Sequence, residues 1–276
     1  MNFSHFLNSK YLDLIKVSED FKNQYRTSDP FPNISFKNFF NTKLLENVLN
    51  EFPNLEETNS NNYKSNVERN KFLAEGEKFY GDNTLNFLHF LNSEPFLKFL
   101  QNLTGIKETL VPDPYFVGGG LHETKKGGLL KLHADFNKHK LTNLDRRINI
   151  LVYLNKNWKD EYGGHFELWD KNLSKCYHKI SPIFNTLAIF STDDFSYHGH
   201  PDPLNCPENL SRKSIALYYY SNGRPSSEIN KGLENHSTLF VKRKGNLSDN
   251  KDFDKLNIKE IIKLFIPPIF IKLLKK

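Results

Sequence analysis

The chain has 276 residues, of which 38% are hydrophobic and 14% aromatic, with 24 Phe; this is enough apolar material for one large packed domain and excludes disorder throughout. The formal charge of +6 sits in one place: residues 242–276 carry ten Lys or Arg against four Asp or Glu and the remainder is balanced, so no nucleic-acid-binding surface is indicated and any electrostatic partner belongs at the tail. The two cysteines, Cys176 and Cys206, are far apart and outside any Cys-x-x-Cys, which argues against a disulfide framework or zinc ribbon and fits a reducing, cytoplasmic setting. Met1–Leu7 lacks a basic start followed by a long apolar run, and no apolar run is long enough to span a bilayer, so neither a signal peptide nor a transmembrane helix is expected.

In chain order, a short helix is expected near Tyr11–Val17 and a short strand over Ile34–Phe40. Asn41 or Thr42 can cap a helix through Leu44, Leu45, Val48 and Leu49, which Pro53 ends. Residues 54–71, rich in Asn, Ser, Glu and Lys, read as an exposed loop, and helical spacing resumes over Asn83–Leu103 until Gly105 closes it. From residue 106 the pattern changes to short β-rich runs: Tyr115–Val117, Leu121–Thr124, Leu129–His133, Arg147–Leu154, His165–Trp169, Tyr177–Ile180, Thr186–Ser191 and Lys213–Ser221. Such a density of strands with no helix between them predicts a jelly roll or small barrel and disfavours a parallel βαβ sheet. The expected organisation is a helical support region (1–105), a jelly-roll domain (106–228) and a basic amphipathic tail (229–276). Gly118-Gly119-Gly120 lacks a following Gly-Lys-Ser/Thr and helix, so it reads as a bulge or turn and not as a phosphate loop.

The chemistry centres on Leu129–Asn137. His133 and Asp135 are two apart in a strand pattern, so both side chains project to one side. An imidazole and a carboxylate so placed are two cis ligands for a divalent metal, and one further His would complete the two-His-one-carboxylate triad that suits non-haem Fe(II). Five histidines compete for that place. His139 lies in a Lys/Asn-rich loop and reads as exposed, and His178 as a plain strand residue. His165 forms a second His-x-carboxylate with Glu167, and His198 and His200 share parity, so spacing does not separate them. Arg212 and Ser214 share a strand face, and a guanidinium fork beside a hydroxyl suits a carboxylate, as at the far end of 2-oxoglutarate.

The segments Gly-Gly-Leu-Leu-Lys-Leu-His133-Ala-Asp135, Arg-Ile-Asn-Ile-Leu-Val-Tyr153, Tyr-Gly163-Gly164-His-Phe-Glu-Leu-Trp, Phe190 to His198 and Arg212-Lys-Ser-Ile-Ala-Leu-Tyr, in this order, resemble the prolyl-4-hydroxylase-like branch of the 2-oxoglutarate/Fe(II)-dependent dioxygenases over about residues 111–222. The resemblance implies an α+β fold around a double-stranded β-helix, with N-terminal supporting helices and a C-terminal helical tail. It implies His133, Asp135 and His198 as iron ligands, Arg212 and Ser214 on 2-oxoglutarate, and Tyr153 assisting. Where the branch often has a 2-oxoglutarate-contacting tyrosine this chain has Leu121-His122-Glu123-Thr124, and His122 is the expected substitute. The implied cosubstrates are 2-oxoglutarate and O2, with ascorbate by analogy, and the implied reaction hydroxylates a C–H bond of a small-molecule or peptidyl substrate with release of succinate and CO2. A non-enzymatic jelly-roll module with a degenerate pocket, or a cupin-type metalloenzyme without 2-oxoglutarate, are the competing readings. The loop Phe136–Arg146, with Lys138, His139 and Lys140, is expected at the pocket mouth.

In the tail, Ile258, Ile261, Ile262, Phe265 and Ile266 fall on one helical face that Pro267-Pro268 ends. This fits a helix docked on the domain or, more sharply, an interfacial helix that makes peripheral membrane contact through residues 250–276.

Overall fold

The computed structural model describes residues 3–58, 60–229 and 235–254. Helices α1 (Leu14–Arg26), α2 (Thr42–Asn50), α3 (Asp82–Leu91) and α4 (Glu94–Thr104) come from the first hundred residues. Their ends are satisfied locally. Asp13 caps α1 through the Lys16 amide, and Asn41 caps α2 through the amides of Lys43 and Leu44. The Glu51 carboxylate just beyond α2 accepts from the amides of Asn83 and Thr84 at 3.2 and 2.9 Å, supplying the cap that Gly81 does not offer α3. Gly105, at φ +76°, ends α4 in the left-handed conformation.

The sheet contains β1 (Asn33–Lys37), β2 (Asn61–Lys64), β3 (Glu68–Ala74), β4 (Gly120–Ala134), β5 (Asp145–Tyr153), β6 (Phe166–Trp169), β7 (Cys176–Ile180), β8 (Thr186–Ser191), β9 (His198–His200), β10 (Ser211–Ser221) and β11 (Leu239–Phe240). Short α5 (Ser226–Ile229) and α6 (Leu247–Asp254) complete the described elements. The order β1-β8-β5-β10-β4-β9-β6-β7 is antiparallel throughout, with the β2–β3 hairpin and β11 joined to β4. This is the expected α+β double-stranded β-helix.

Both faces of the larger layer are covered. On β5, β8 and β10, Ile148, Ile150, Val152, Leu187, Ile189, Ile215 and Leu217 pack with Phe39, Phe87, Phe96 and Phe99 of the helical layer. The alternate positions Tyr153, Ala188, Phe190, Ala216 and Tyr218 turn into the barrel. The N-terminal hundred residues are thus more than support, since they add β1 at one edge and the β2–β3 hairpin beside β4.

Several local expectations change. The first helix is longer than expected and begins at Leu14 because Asp13 supplies the cap. The helical run at 83–103 is two helices, broken where the Asn92 amide closes α3 and Pro95 opens α4. Residues 54–71 are not all loop: their polar side chains lie on the β2–β3 hairpin, which pairs with β4. Tyr115–Val117 is a turn stabilised by the Asp113 carboxylate, which accepts from the amides of Tyr115 and Val117. Leu121–Thr124 and Leu129–His133 are one strand that bulges at Gly127-Gly128, where Gly127 has φ +70° and a Cβ on Gly128 would stand 2.7 Å from the Lys125 carbonyl. The apolar tail face at residues 258–266 lies outside the described residues.

Candidate metal and cosubstrate site

His133 is the penultimate residue of β4 and Asp135 lies just past the strand, while His198 opens β9 opposite His133 in the antiparallel ladder. Their ligand atoms lie within 4.8 Å of one another, the one such His/Cys/Asp/Glu group among the described residues. Asp135 Oδ1 is 3.5 Å from His133 Nε2 and Oδ2 is 3.3 Å from His198 Nε2. Each imidazole is held from behind by a backbone carbonyl: His133 Nδ1 donates to Lys131 O at 2.9 Å and His198 Nδ1 to Ser196 O at 2.7 Å. A carbonyl only accepts, so Nδ1 carries a proton in both rings and Nε2 is the nitrogen that faces the carboxylate. Burial lowers the His198 pKa and favours the neutral form, against the opposing pull of Asp135. Two imidazole nitrogens and a carboxylate converging in this way fit a divalent cation, and the donor set of two nitrogens and one oxygen fits Fe(II).

The carboxylate is itself fixed. Burial alone would raise the Asp135 pKa, but Arg146 and then His198 hold it well below the usual carboxylate range. Arg146 Nη2 and Asn149 Nδ2 donate to Asp135 Oδ2 at 3.0 and 2.7 Å, and Arg146 Nε donates to Asn149 Oδ1 at 2.8 Å. The Arg146 guanidinium lies 3.4 Å from the ring centre of Tyr218 and 4.3 Å from that of Phe136. Neither Arg146 nor Asn149 was anticipated from sequence. Asn149 shares parity with Tyr153 and so carried a signal. Arg146 did not: β5 bulges at Arg147, where Tyr219 faces Ile148 but Tyr220 faces Arg146, and the bulge returns Arg146 to the inner face.

The three residues open into a cavity of about 270 Å³ that Arg212, Ser214, His122 and His200 also line. Arg212 is 6% exposed; its Nε donates to Gly164 O at 2.7 Å and its Nη2 to the Tyr153 hydroxyl at 3.2 Å. Among the described residues it has no carboxylate partner, and burial lowers its pKa. A buried guanidinium without a counter-charge is costly unless an anion arrives. His122 Nε2 and His200 Nδ1 are also buried without partners. Burial, then Lys71 and Arg212, hold His122 well below the ordinary imidazole value, and burial and Arg212 do the same for His200, so both rings are neutral. Orphaned buried polar atoms around an unpaired cation fit a bound dicarboxylate.

The remaining expected residues fall as follows. Tyr153 lies inside the barrel with its hydroxyl on Arg212, and burial raises its pKa. His165 precedes β6 and pairs with Asp160 at 2.9 Å, away from the triad. His139, expected exposed, is 3% exposed: its Nδ1 accepts from the amides of Leu141 and Thr142 and its Nε2 lies 3.2 Å from Asp113. In the same loop Lys138 pairs with Asp145 at 2.9 Å and Phe136 reaches the cavity. Sequence gave no hint of the wall formed by Tyr63 and Lys71 from the β2–β3 hairpin and by Thr238 and Phe240 from the C-terminal segment.

Residues 119–220 match the family model of the 2OG-Fe(II) oxygenase superfamily. This segment is similar to the 2OG-Fe(II) oxygenases. The match spans β4 to β10 and so includes every residue of the triad as well as Arg212. No curated protein matches the chain by sequence. Its fold is similar to that of a prolyl hydroxylase from Trichoplax adhaerens solved with a hypoxia inducible factor oxygen degradation domain peptide, at 20% identity and TM-score 0.57 over 82% of this chain and 96% of that one. It is also similar to a Pseudomonas putida prolyl-4-hydroxylase, at 14% identity and TM-score 0.55 over 76% and 100% of the two chains. A third likeness is to HygX from Streptomyces hygroscopicus, solved with nickel and 2-oxoglutarate, at 11% identity and TM-score 0.51 over 79% and 96%.

Proposed function

We propose that the protein hydroxylates a substrate C–H bond using 2-oxoglutarate and O2, with His133, Asp135 and His198 holding Fe(II). The observation that carries this reading is Arg212, a buried cation without a carboxylate partner among the described residues, in the same cavity as the triad. A cupin-type metalloenzyme without 2-oxoglutarate would have no use for that charge, and a degenerate binding module would not need the three converging acceptors.

The chain's own residues divide the work. Arg212 binds the distal carboxylate of 2-oxoglutarate with the donors left over from Gly164 and Tyr153. Ser214 and the free nitrogens of His122 and His200 supply further polar contacts, and the Tyr153 hydroxyl steadies Arg212. Arg146 and Asn149 hold Asp135 in one rotamer, so its second oxygen stays committed to them. Phe166 and Phe190 pack on His198 at ring distances of 5.5 and 4.7 Å and keep water from that side. Fe(II) bound here supplies the oxidative chemistry by which one O2 is divided between the substrate, as R–OH, and succinate, with loss of CO2.

The substrate class includes peptidyl and small molecules, and we propose ascorbate as an auxiliary reductant by analogy with the branch. We further propose cytoplasmic residence and peripheral membrane contact through residues 250–276, supported by the cysteine usage and the basic, apolar-faced tail. Binding separates the readings: anaerobic titration with Fe(II) and then 2-oxoglutarate should show both binding. Metal without 2-oxoglutarate would favour the cupin-type enzyme, and neither would favour the binding module.

A further inference from the structure

Without its C-terminal segment, β4 would present an unpaired backbone edge beside the metal triad. Among the described residues that edge is covered by β11: Leu239 pairs with Ala134, Phe240 pairs with His133, and the Val241 amide donates to Leu132 O at 2.8 Å. The Phe240 ring centre lies 5.5 Å from that of His133, and Thr238 and Phe240 face the cavity.

What holds this segment down is a buried charge cluster. Lys131, fully buried, places Nζ 2.9 Å from Asp249 and 2.8 Å from Asp252. Asp249, also fully buried, accepts from the Arg243 amide, Nε and Nη2 at 2.9, 3.0 and 2.9 Å. Arg243 forks onto both oxygens of Asp202 at 3.1 and 2.7 Å. Lys131 is two residues before His133 and gives it the carbonyl that fixes its tautomer, while Asp202 lies four residues after His198. The cluster therefore joins both histidine-bearing strands to α6. Farther along, His236 Nε2 lies 2.8 Å from Asp194, and its amide donates to Asn137 Oδ1, two residues after Asp135.

We propose that residues 236–254 are a latch that completes the metal site, with Lys131 and Asp249 as positioning residues for His133 and with Thr238 and Phe240 as a wall of the substrate chamber. A long cation buried at the back of the ligand-bearing strand serves this purpose as a surface lysine would not. It makes the register of β4 depend on the C-terminal segment, because slipping either one leaves a buried charge unpaired. The inference rests on the metal site of the proposed function, but it concerns metal and strap alone and not turnover.

The test uses the full chain and Co(II), whose absorption spectrum reports coordination geometry without catalysis. Asp249→Asn should lower Co(II) affinity about 10–100-fold and change the spectrum of the bound ion, as loss of support behind a ligand does. A folded Asp249→Asn protein with unaltered affinity and spectrum would overturn the proposal. Because coupling is reciprocal, the unaltered protein provides a second measurement should the variant not fold. Co(II) should slow amide exchange over residues 239–241, and unchanged exchange there with metal bound also overturns the latch. If Co(II) binds with this strap dependence while 2-oxoglutarate is never consumed, the latch stands and the catalytic reading falls.

Discussion

Replacing Arg212 probes the cosubstrate site most sharply, because the residue is poised between two costs. In the unliganded chain its guanidinium is buried, bonded to Gly164 O at 2.7 Å and the Tyr153 hydroxyl at 3.2 Å, and faces no carboxylate among the described residues. Arg212→Met removes a buried charge, which favours the variant, and strands the Gly164 carbonyl, which costs about 1–3 kcal/mol. These effects oppose each other, so the stability of the unliganded protein should move little. Ligand response should move much more. At a hundredfold excess over its Kd, 2-oxoglutarate should stabilise the unaltered, metal-loaded protein by about 2.7 kcal/mol. At roughly 2–4 °C per kcal/mol for a chain of this size, that is a rise of roughly 5–10 °C in Tm. Arg212→Lys retains the charge without the fork, and losing one charge-assisted bond of about 1.5–3 kcal/mol weakens 2-oxoglutarate roughly ten- to hundredfold. Arg212→Met should abolish the thermal shift at the same concentration. Thermal melts with and without 2-oxoglutarate, paired with calorimetric titration, read both quantities. A full thermal shift and unchanged affinity in Arg212→Met would refute the assignment.

Three further outcomes follow from the same structure. In an Fe(II) titration, Asp135→Ala and His198→Ala should lose tight binding, Asn149→Ala should weaken it about 10–100-fold, and His165→Ala and His200→Ala should retain it; the reverse order for His165 and Asp135 would displace the triad. Asp249 has its carboxyl held down to about 2 by Arg243 and Lys131 against the effect of burial, so its contribution to stability is present above the ordinary value of 3.8 and lost as the pH falls toward 2. The stability difference between the unaltered protein and Asp249→Asn should therefore shrink between about pH 4 and pH 2, and a difference independent of pH in that window would contradict the ion cluster. Co-sedimentation with anionic vesicles should be strong and salt-sensitive for the full chain and lost on truncation after Asp254, since each Lys near such a surface contributes about 1 kcal/mol; equal behaviour of both chains would leave a docked helix instead.

The convergence of His133 and Asp135 was legible because His-x-Asp depends only on strand parity, and parity is a local property. His198 and His200 were not separable in that way, since both face the cavity; the ladder separates them by placing His198 opposite His133 and His200 opposite Leu130. Arg146 escaped notice because a bulge reverses parity, which no periodicity shows in advance. The β2–β3 hairpin was misread as loop because its sequence is polar. Its Lys71 is nonetheless buried against Glu68 and lies 4.6 Å from the Tyr63 ring centre, because the hairpin pairs with β4. His139 was misread because its loop is polar, yet its Nδ1 accepts from the amides of Leu141 and Thr142 and its Nε2 lies against the Asp113 carboxylate. The latch was the least legible feature: Lys131 and Asp249 are 118 residues apart, and nothing local to either marks a buried pair.

In the proposed function, one cavity brings metal, 2-oxoglutarate and substrate together. The most direct measurement is succinate release from 2-oxoglutarate under air with Fe(II), across a panel of peptidyl and small-molecule substrates. Succinate should form one for one with hydroxylated product from at least one substrate and be lost in Asp135→Ala and in Arg212→Met. Succinate release that persists in both variants, or a protein saturated with Fe(II) and 2-oxoglutarate that forms none with any substrate, would contradict the proposed function.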